Sequence, residues 1–245
     1  MNDARPDASA RGAADAFAHR LTETLTAFVG NPVPVESQEL GSKLSIRPEH
    51  GPVRLSIGDV ALLSLDILYR CRWNEQEKYL STVESWVKVF PGPGTRGEPL
   101  FRYEYDRETV PGLPSAHLQI HAHRDSFTHI MALAGAAGAK RRSPDPRGGT
   151  DAARLSNIHF PLGGDRFRPC LEDVLQMLKA EFDVATGPTW EATLRRRRLD
   201  YRLTQLRATV DDHPETAALE IERLGFHVTR PDPPISPRID RISAF

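Results

Sequence analysis

The spacing of apolar residues changes period twice along this chain. Near the start, Phe17, Leu21, Leu25 and Phe28 recur at intervals of four, four and three. This is the stripe of an amphipathic helix beginning at Asp15 and closed by Gly30 and Pro32. From there to residue 123 the period falls to two. Residues 44–46, then Val53, Leu55 and Ile57 in alternation, then the apolar run 60–69 predict successive strands. The turns at Pro48, Gly51 and Gly58 are short enough to make neighbouring strands antiparallel. A strand over 83–90 stops at Pro91-Gly92-Pro93-Gly94, where two prolines offer no donor for further pairing. Phe101, Tyr103 and Tyr105 then alternate with Arg102, Glu104 and Asp106. After a loop with Pro111, Gly112 and Pro114, residues 117–123 read His-Leu-Gln-Ile-His-Ala-His as a last alternating strand.

The period then returns to helical. Residues 126–139 predict a short Ala-rich helix, 140–150 a loop carrying Lys140, Arg141, Arg142 and Arg147, and 158–162 one more short strand. Pro169 suits a first helical position; Leu171, Val174, Leu175, Leu178 and Phe182 follow on one face, with Glu172 and Asp173 in the favourable first turn. Residues 190–210 predict a long helix with Leu199, Leu203, Leu206 and Val210 as its buried stripe and Arg195, Arg198 and Arg202 along a neighbouring face. Pro214 and Gly225 bracket a third helix with Ala217, Ile221 and Leu224 inward, and 226–228 is expected to pair with a sheet edge. The class is therefore α+β: an antiparallel sheet packed on one face by helices, with a C-terminal helical extension. Residues 1–14 read as a disordered lead-in, 15–230 as one domain and 231–245 as a Pro-rich tail.

Composition narrows the partners more than the fold. Lys and Arg number 32 against 33 Asp and Glu, so the net charge of −1 exerts no long-range pull on nucleic acid or an anionic membrane, and any such attraction must be local. Cys71 and Cys170 are the only cysteines, too few for a disulfide framework and suited to a reducing compartment. The first 14 residues lack a signal-type apolar segment, and no apolar run approaches the roughly 18 residues of a membrane span. A cytoplasmic protein with no membrane contact is expected.

The candidate chemistry lies in the histidine strand. An extended backbone sends His117, Gln119, His121 and His123 to one side and Leu118, Ile120 and Ala122 to the other. If residues 101–106 pair with it across the 107–116 loop, matching aromatic to aliphatic sides puts Arg102, Glu104 and Asp106 on the histidine face. Such a face holds an imidazole near neutral pKa, a carboxylate to fix its tautomer and a guanidinium to hold an anionic oxygen. Those parts suffice for phosphodiester cleavage in RNA with neither metal nor other cofactor. Two alternatives use the same residues: a metal site on His121 and His123 completed by His117, Glu104 or His159, or the solvent side of a half-buried sheet with ordinary cross-strand pairs. Cys170 falls near a helix N-terminus, where a thiolate is favoured, though a small spacer reads equally well. Arg195, Arg198 and Arg202 form the densest positive patch and are candidate phosphate contacts to a nucleic acid.

The order Trp86-Val87-Lys88-Val89-Phe90, Leu100-Phe101-Arg102-Tyr103-Glu104, His121-Ala122-His123 and Cys170-Leu171-Glu172-Asp173-Val174-Leu175 resembles the small TumE-like toxins of bacterial toxin–antitoxin systems. The likeness spans roughly residues 86–182. It implies a small α+β toxin acting on RNA or translation and neutralised by a partner protein, with Arg102, Glu104, His121 and His123 as the site positions carried over. The chain departs from that pattern where Glu104 replaces an aspartate, where a long insertion separates the histidine strand from the helix, and in large extensions at both ends. A toxin-like or phage-defence-like enzyme on RNA is therefore expected, with a non-catalytic binding module and a metal-dependent hydrolase as alternatives.

Overall fold

The apolar run 60–69 becomes part of the longest strand among the described residues. The computed structural model describes residues 9–73, 79–108, 115–121, 124–136 and 168–239. Among the described residues seven strands form one sheet: β1 (Val35–Leu40), β2 (Lys43–Pro48), β3 (Val53–Ile57), β4 (Val60–Trp73), β5 (Leu80–Pro91), β6 (Phe101–Asp106) and β7 (Ala116–Ile120). All pairings are antiparallel, in the order β1-β2-β4-β5-β6-β7. Because β5 takes one edge of β4 along its length, β2 and β3 divide the other edge, β2 at residues 69–71 and β3 at 60–65.

Period-two alternation then separates the faces. Leu65 lies opposite Val89 and Ile67 opposite Val87; Val87 and Val89 lie opposite Tyr103 and Phe101, which in turn face Leu118 and Ile120. This apolar side is covered by helices α1 (Ala10–Val29), α2 (Arg124–Ala136), α3 (Leu171–Phe182) and α4 (Trp190–Asp212), followed by α5 (Pro214–Arg223). Leu21, Leu25 and Phe28 of α1, Met131 of α2 and Leu175, Leu178 and Phe182 of α3 join Phe101 and the β4 residues in one buried cluster. Phe17 packs edge-on against Tyr69 with ring centroids 5.0 Å apart, which fixes α1 on that face. Phe28, Phe101 and Phe182 are wholly buried, and removing any of these rings costs about 3–5 kcal/mol.

Several boundaries and burials differ from expectation. Helix α1 begins at Ala10 rather than Asp15, because Ser9 caps it by accepting from the Gly12 N–H at 3.0 Å and the Ala-rich stretch favours helix. Strand β1 was not foreseen: its sequence Val-Glu-Ser-Gln-Glu-Leu has no apolar alternation, and it owes its place to six pairings with β2 at the sheet edge. Helix α3 starts at Leu171, leaving Pro169 outside it and Cys170 as the N-cap. The strand expected at 158–162 and the loop 140–150 lie outside the described residues.

The largest correction concerns α4. Leu199, Leu203, Leu206 and Val210 are exposed, whereas Leu194 is buried. The helix turns a polar face inward instead, holding Glu23 of α1 through Arg197 and Asp173 of α3 through Arg198. Ile221 of α5 and Leu224 at its C-cap are likewise exposed, and Phe226 lies in the open rather than in a strand.

Candidate functional site

Register builds the site on the face opposite the described helices. One row across the sheet runs Asp66, Lys88, Arg102, Gln119; the next runs Leu68, Trp86, Glu104, His117; a third runs Arg70, Glu84, Asp106. Neighbours on one face of a strand are two residues apart, so the rows interlock through long side chains. The expected common face of Arg102, Glu104, Asp106, His117 and Gln119 is thereby formed, and Lys88, Trp86 and Asp66 join it.

Glu104 is the hub. Its carboxylate lies 3.4 Å from His117 Nε2, 3.4 Å from Arg102 Nε and 3.6 Å from Lys88 Nζ. All four side chains are only about a quarter exposed, which weakens solvent screening between them. Arg102 is held in place by donating to Gln119 Oε1 at 2.5 Å. The Trp86 ring carries Lys88 Nζ 4.3 Å from its centroid and the Arg70 guanidinium at 5.5 Å, while its indole N–H donates to Asp66 Oδ2 at 2.9 Å. Arg70 in turn pairs with Glu84 at 2.6 Å.

His121 does not join this hub. It lies four residues beyond His117, about 13 Å along the strand direction, and its Nδ1 faces Glu98 at 3.7 Å. Its Nε2 is buried with no hydrogen-bond partner among the described residues. His123 and His159 lie outside the described residues. Among the described residues no three of His, Cys, Asp and Glu converge closely enough to hold a metal ion. None of their helices is long and apolar enough to cross a membrane.

The arginine ridge is split by the fold. Arg198 donates to Asp173 Oδ1 at 2.7 Å, to the Glu172 carbonyl at 3.2 Å and to Gln176, and Arg202 lies 3.7 Å from Asp173. Arg198 is committed to α3, whereas Arg202 and Arg195 stand exposed. They do not present three parallel phosphate ligands. Under the helices a second polar group gathers around α3: Asp173 accepts from both the Cys170 backbone N–H and its thiol at 3.2 Å, and Glu172 accepts from the Thr24 hydroxyl at 3.4 Å. Burial, then the neighbouring Glu172 and Asp173 carboxylates, push the Cys170 thiol far up, the reverse of an activated thiolate. Burial raises the Glu172 carboxyl as well and lifts the Tyr201 hydroxyl to about 12.

Comparison with protein-family models, with curated proteins and with solved structures found no match. Function therefore rests on the site itself. Lys88 and Trp86 were not singled out from sequence because the β5–β6 register that sets them beside Glu104 is a non-local pairing. The signal was the alternation Trp86-Val87-Lys88-Val89, which put both on the polar side of whatever strand it formed.

Proposed function

We propose that the face of β5, β6 and β7 opposite the described helices is an acid–base site for phosphodiester cleavage in RNA, in a protein of toxin-like or phage-defence-like role. The observation that carries it is the shared carboxylate: Glu104 orients His117 and at the same time gathers Arg102 and Lys88. In this reading the His117 imidazole takes the proton of a ribose 2′-hydroxyl while that oxygen attacks phosphorus. The O2′–P bond forms, the P–O5′ bond breaks, and the departing 5′ oxygen takes a proton from solvent. The products are a 2′,3′-cyclic phosphate and a 5′-hydroxyl. Arg102 and Lys88 hold the non-bridging oxygens as charge builds on them. The TumE-like resemblance agrees with this substrate but weights His121 and His123, whereas the geometry favours His117.

RNA integrity after expression tests it. Transcripts are expected to be cut in cells making the wild type and His121→Ala, and to stay whole with His117→Ala. Whole transcripts with the wild type discard the proposal.

A second reading is favoured by the mixed charge of the same face, where Asp66 and Arg70 lie opposite Lys88 and Glu84, and Arg102, Glu104 and Asp106 follow on the next strand. Such a ladder suits recognition of a protein partner, an antitoxin-like one included, without catalysis. Equal growth of hosts expressing wild type and His117→Ala, with intact RNA in both, is its signature.

A further inference from the structure

Among the described residues every exposed large apolar side chain except Leu40 and Val60 lies between Leu199 and Ile239. Four of them form a regular stripe on α4: Leu199, Leu203, Leu206 and Val210 are 57%, 39%, 47% and 40% exposed. Their spacing of four, three and four is a heptad seam, with Leu203 and Val210 at a and Leu199 and Leu206 at d. The seam is about 16 Å long. An isolated stripe of this kind is costly to leave in water, and the opposite side of α4 is already taken by Leu194, Arg197 and Arg198. Exposed Ile221 of α5 and Leu224 at its C-cap add to the exposed apolar surface of the C-terminal helices.

The flanking charges select the occupant. Asp200 and Arg207 occupy the two e positions beside the seam, while Arg202 and Thr209 occupy the g positions, and all four are exposed. If a second α4 packs in the antiparallel sense, Leu199 meets Val210 of the other copy and Leu203 meets Leu206. The same alignment sets Asp200 beside Arg207 twice, by symmetry, and Arg202 beside the neutral Thr209. A parallel alignment sets Arg202 against Arg207, two like charges. Asp200 is bonded to Arg197 of its own helix at 3.1 Å but remains half exposed, so a second arginine can reach it. We propose that this chain self-associates through an antiparallel, two-fold α4–α4 seam, closed by reciprocal Asp200–Arg207 pairs.

Light-scattering mass of the full chain at tens of micromolar tests this. The wild type is expected at twice its 27.3 kDa chain mass. Leu203→Glu with Leu206→Glu is expected at the single mass with unchanged circular dichroism, because both positions are already in solvent. Asp200→Arg and Arg207→Asp are each expected to dissociate at least about tenfold more readily. The two single variants mixed, or both changes in one chain, restore the pair charges and the dimer. A monomeric wild type overturns the proposal and leaves the seam to a different partner. A dimer that survives the double glutamate change overturns it by locating the contact elsewhere. Charge variants that dimerise like the wild type overturn the antiparallel alignment.

Discussion

His117 stands directly across the β6–β7 ladder from Glu104, its Nε2 3.4 Å from the carboxylate, while His121, just past the end of β7, faces Glu98. Four residues of extended chain separate their backbones by about 13 Å, which sets the two imidazoles at different places along the sheet. The pair therefore divides into a histidine whose carboxylate partner also holds a guanidinium and an ammonium, and a histidine beside Glu98.

Replacing Glu104 by Gln removes one negative charge shared by His117, Arg102 and Lys88 while keeping its shape. Cleavage is expected to fall about tenfold or more, since general acid–base assistance is worth roughly 10²–10⁴-fold and only its orientation is lost. Stability is expected to fall by about 1 kcal/mol, because the pairs are partly screened. Denaturant midpoints and a cleavage assay measured together separate the two effects. A stability loss with unchanged cleavage confines Glu104 to the fold.

Glu172 supplies a pH test. Burial, the largest influence, holds its carboxyl above the ordinary range in the folded chain. The folded state thus binds this proton more tightly than the unfolded one, so the contribution favours folding at low pH. It declines as pH rises from the usual glutamate range through the folded value. Glu172→Gln keeps an acceptor for Thr24 and carries no charge. The melting temperature of the variant relative to the wild type is expected to rise between pH 4 and pH 7. A gap that is flat or narrows over that range contradicts the assigned cause.

Both cysteines should be inert in the native protein. Burial pushes the Cys71 thiol up to about 11, and Cys170 is raised further with two carboxylates nearby. Since the thiolate is the reactive form, an aromatic disulfide reagent at pH 8 is expected to label neither in buffer and both in denaturant. Rapid native labelling of Cys170 would restore the helix-terminus thiolate that the sequence suggested.

Gly187 locks the end of α1 to the segment after α3. Its N–H donates to the Phe28 carbonyl at 3.1 Å, and a Cβ there would approach Ala27 O and Gly30 Cα to 2.7 Å. Both obstacles are backbone and cannot swing away. Gly187→Ala is expected to lower stability by about 2–3 kcal/mol, read as a lower denaturant midpoint with an unchanged slope.

What could be read in advance followed how local the governing physics is. Alternation alone placed Arg102, Glu104 and His117 on one side, because a one-residue slip would have set Phe101 and Tyr103 against the imidazoles. The α3 stripe from Leu171 to Phe182 was equally legible, as every member faces the core. Lys88 escaped notice because its neighbour Glu104 lies on another strand. On α4 the periodicity was real, but a periodic apolar stripe announces burial against something without saying that the something belongs to the same chain. There the ion pairs of Arg197 and Arg198 decided which side turned inward.

The most direct test is incubation of purified full-length protein with an end-labelled single-stranded RNA and the DNA of matching sequence, each with wild type and His117→Ala. Cleavage of RNA alone to 2′,3′-cyclic phosphate ends, lost by a factor of about 10² or more in His117→Ala, is the expected result. RNA left whole by the wild type, or cut as fast by His117→Ala, contradicts it.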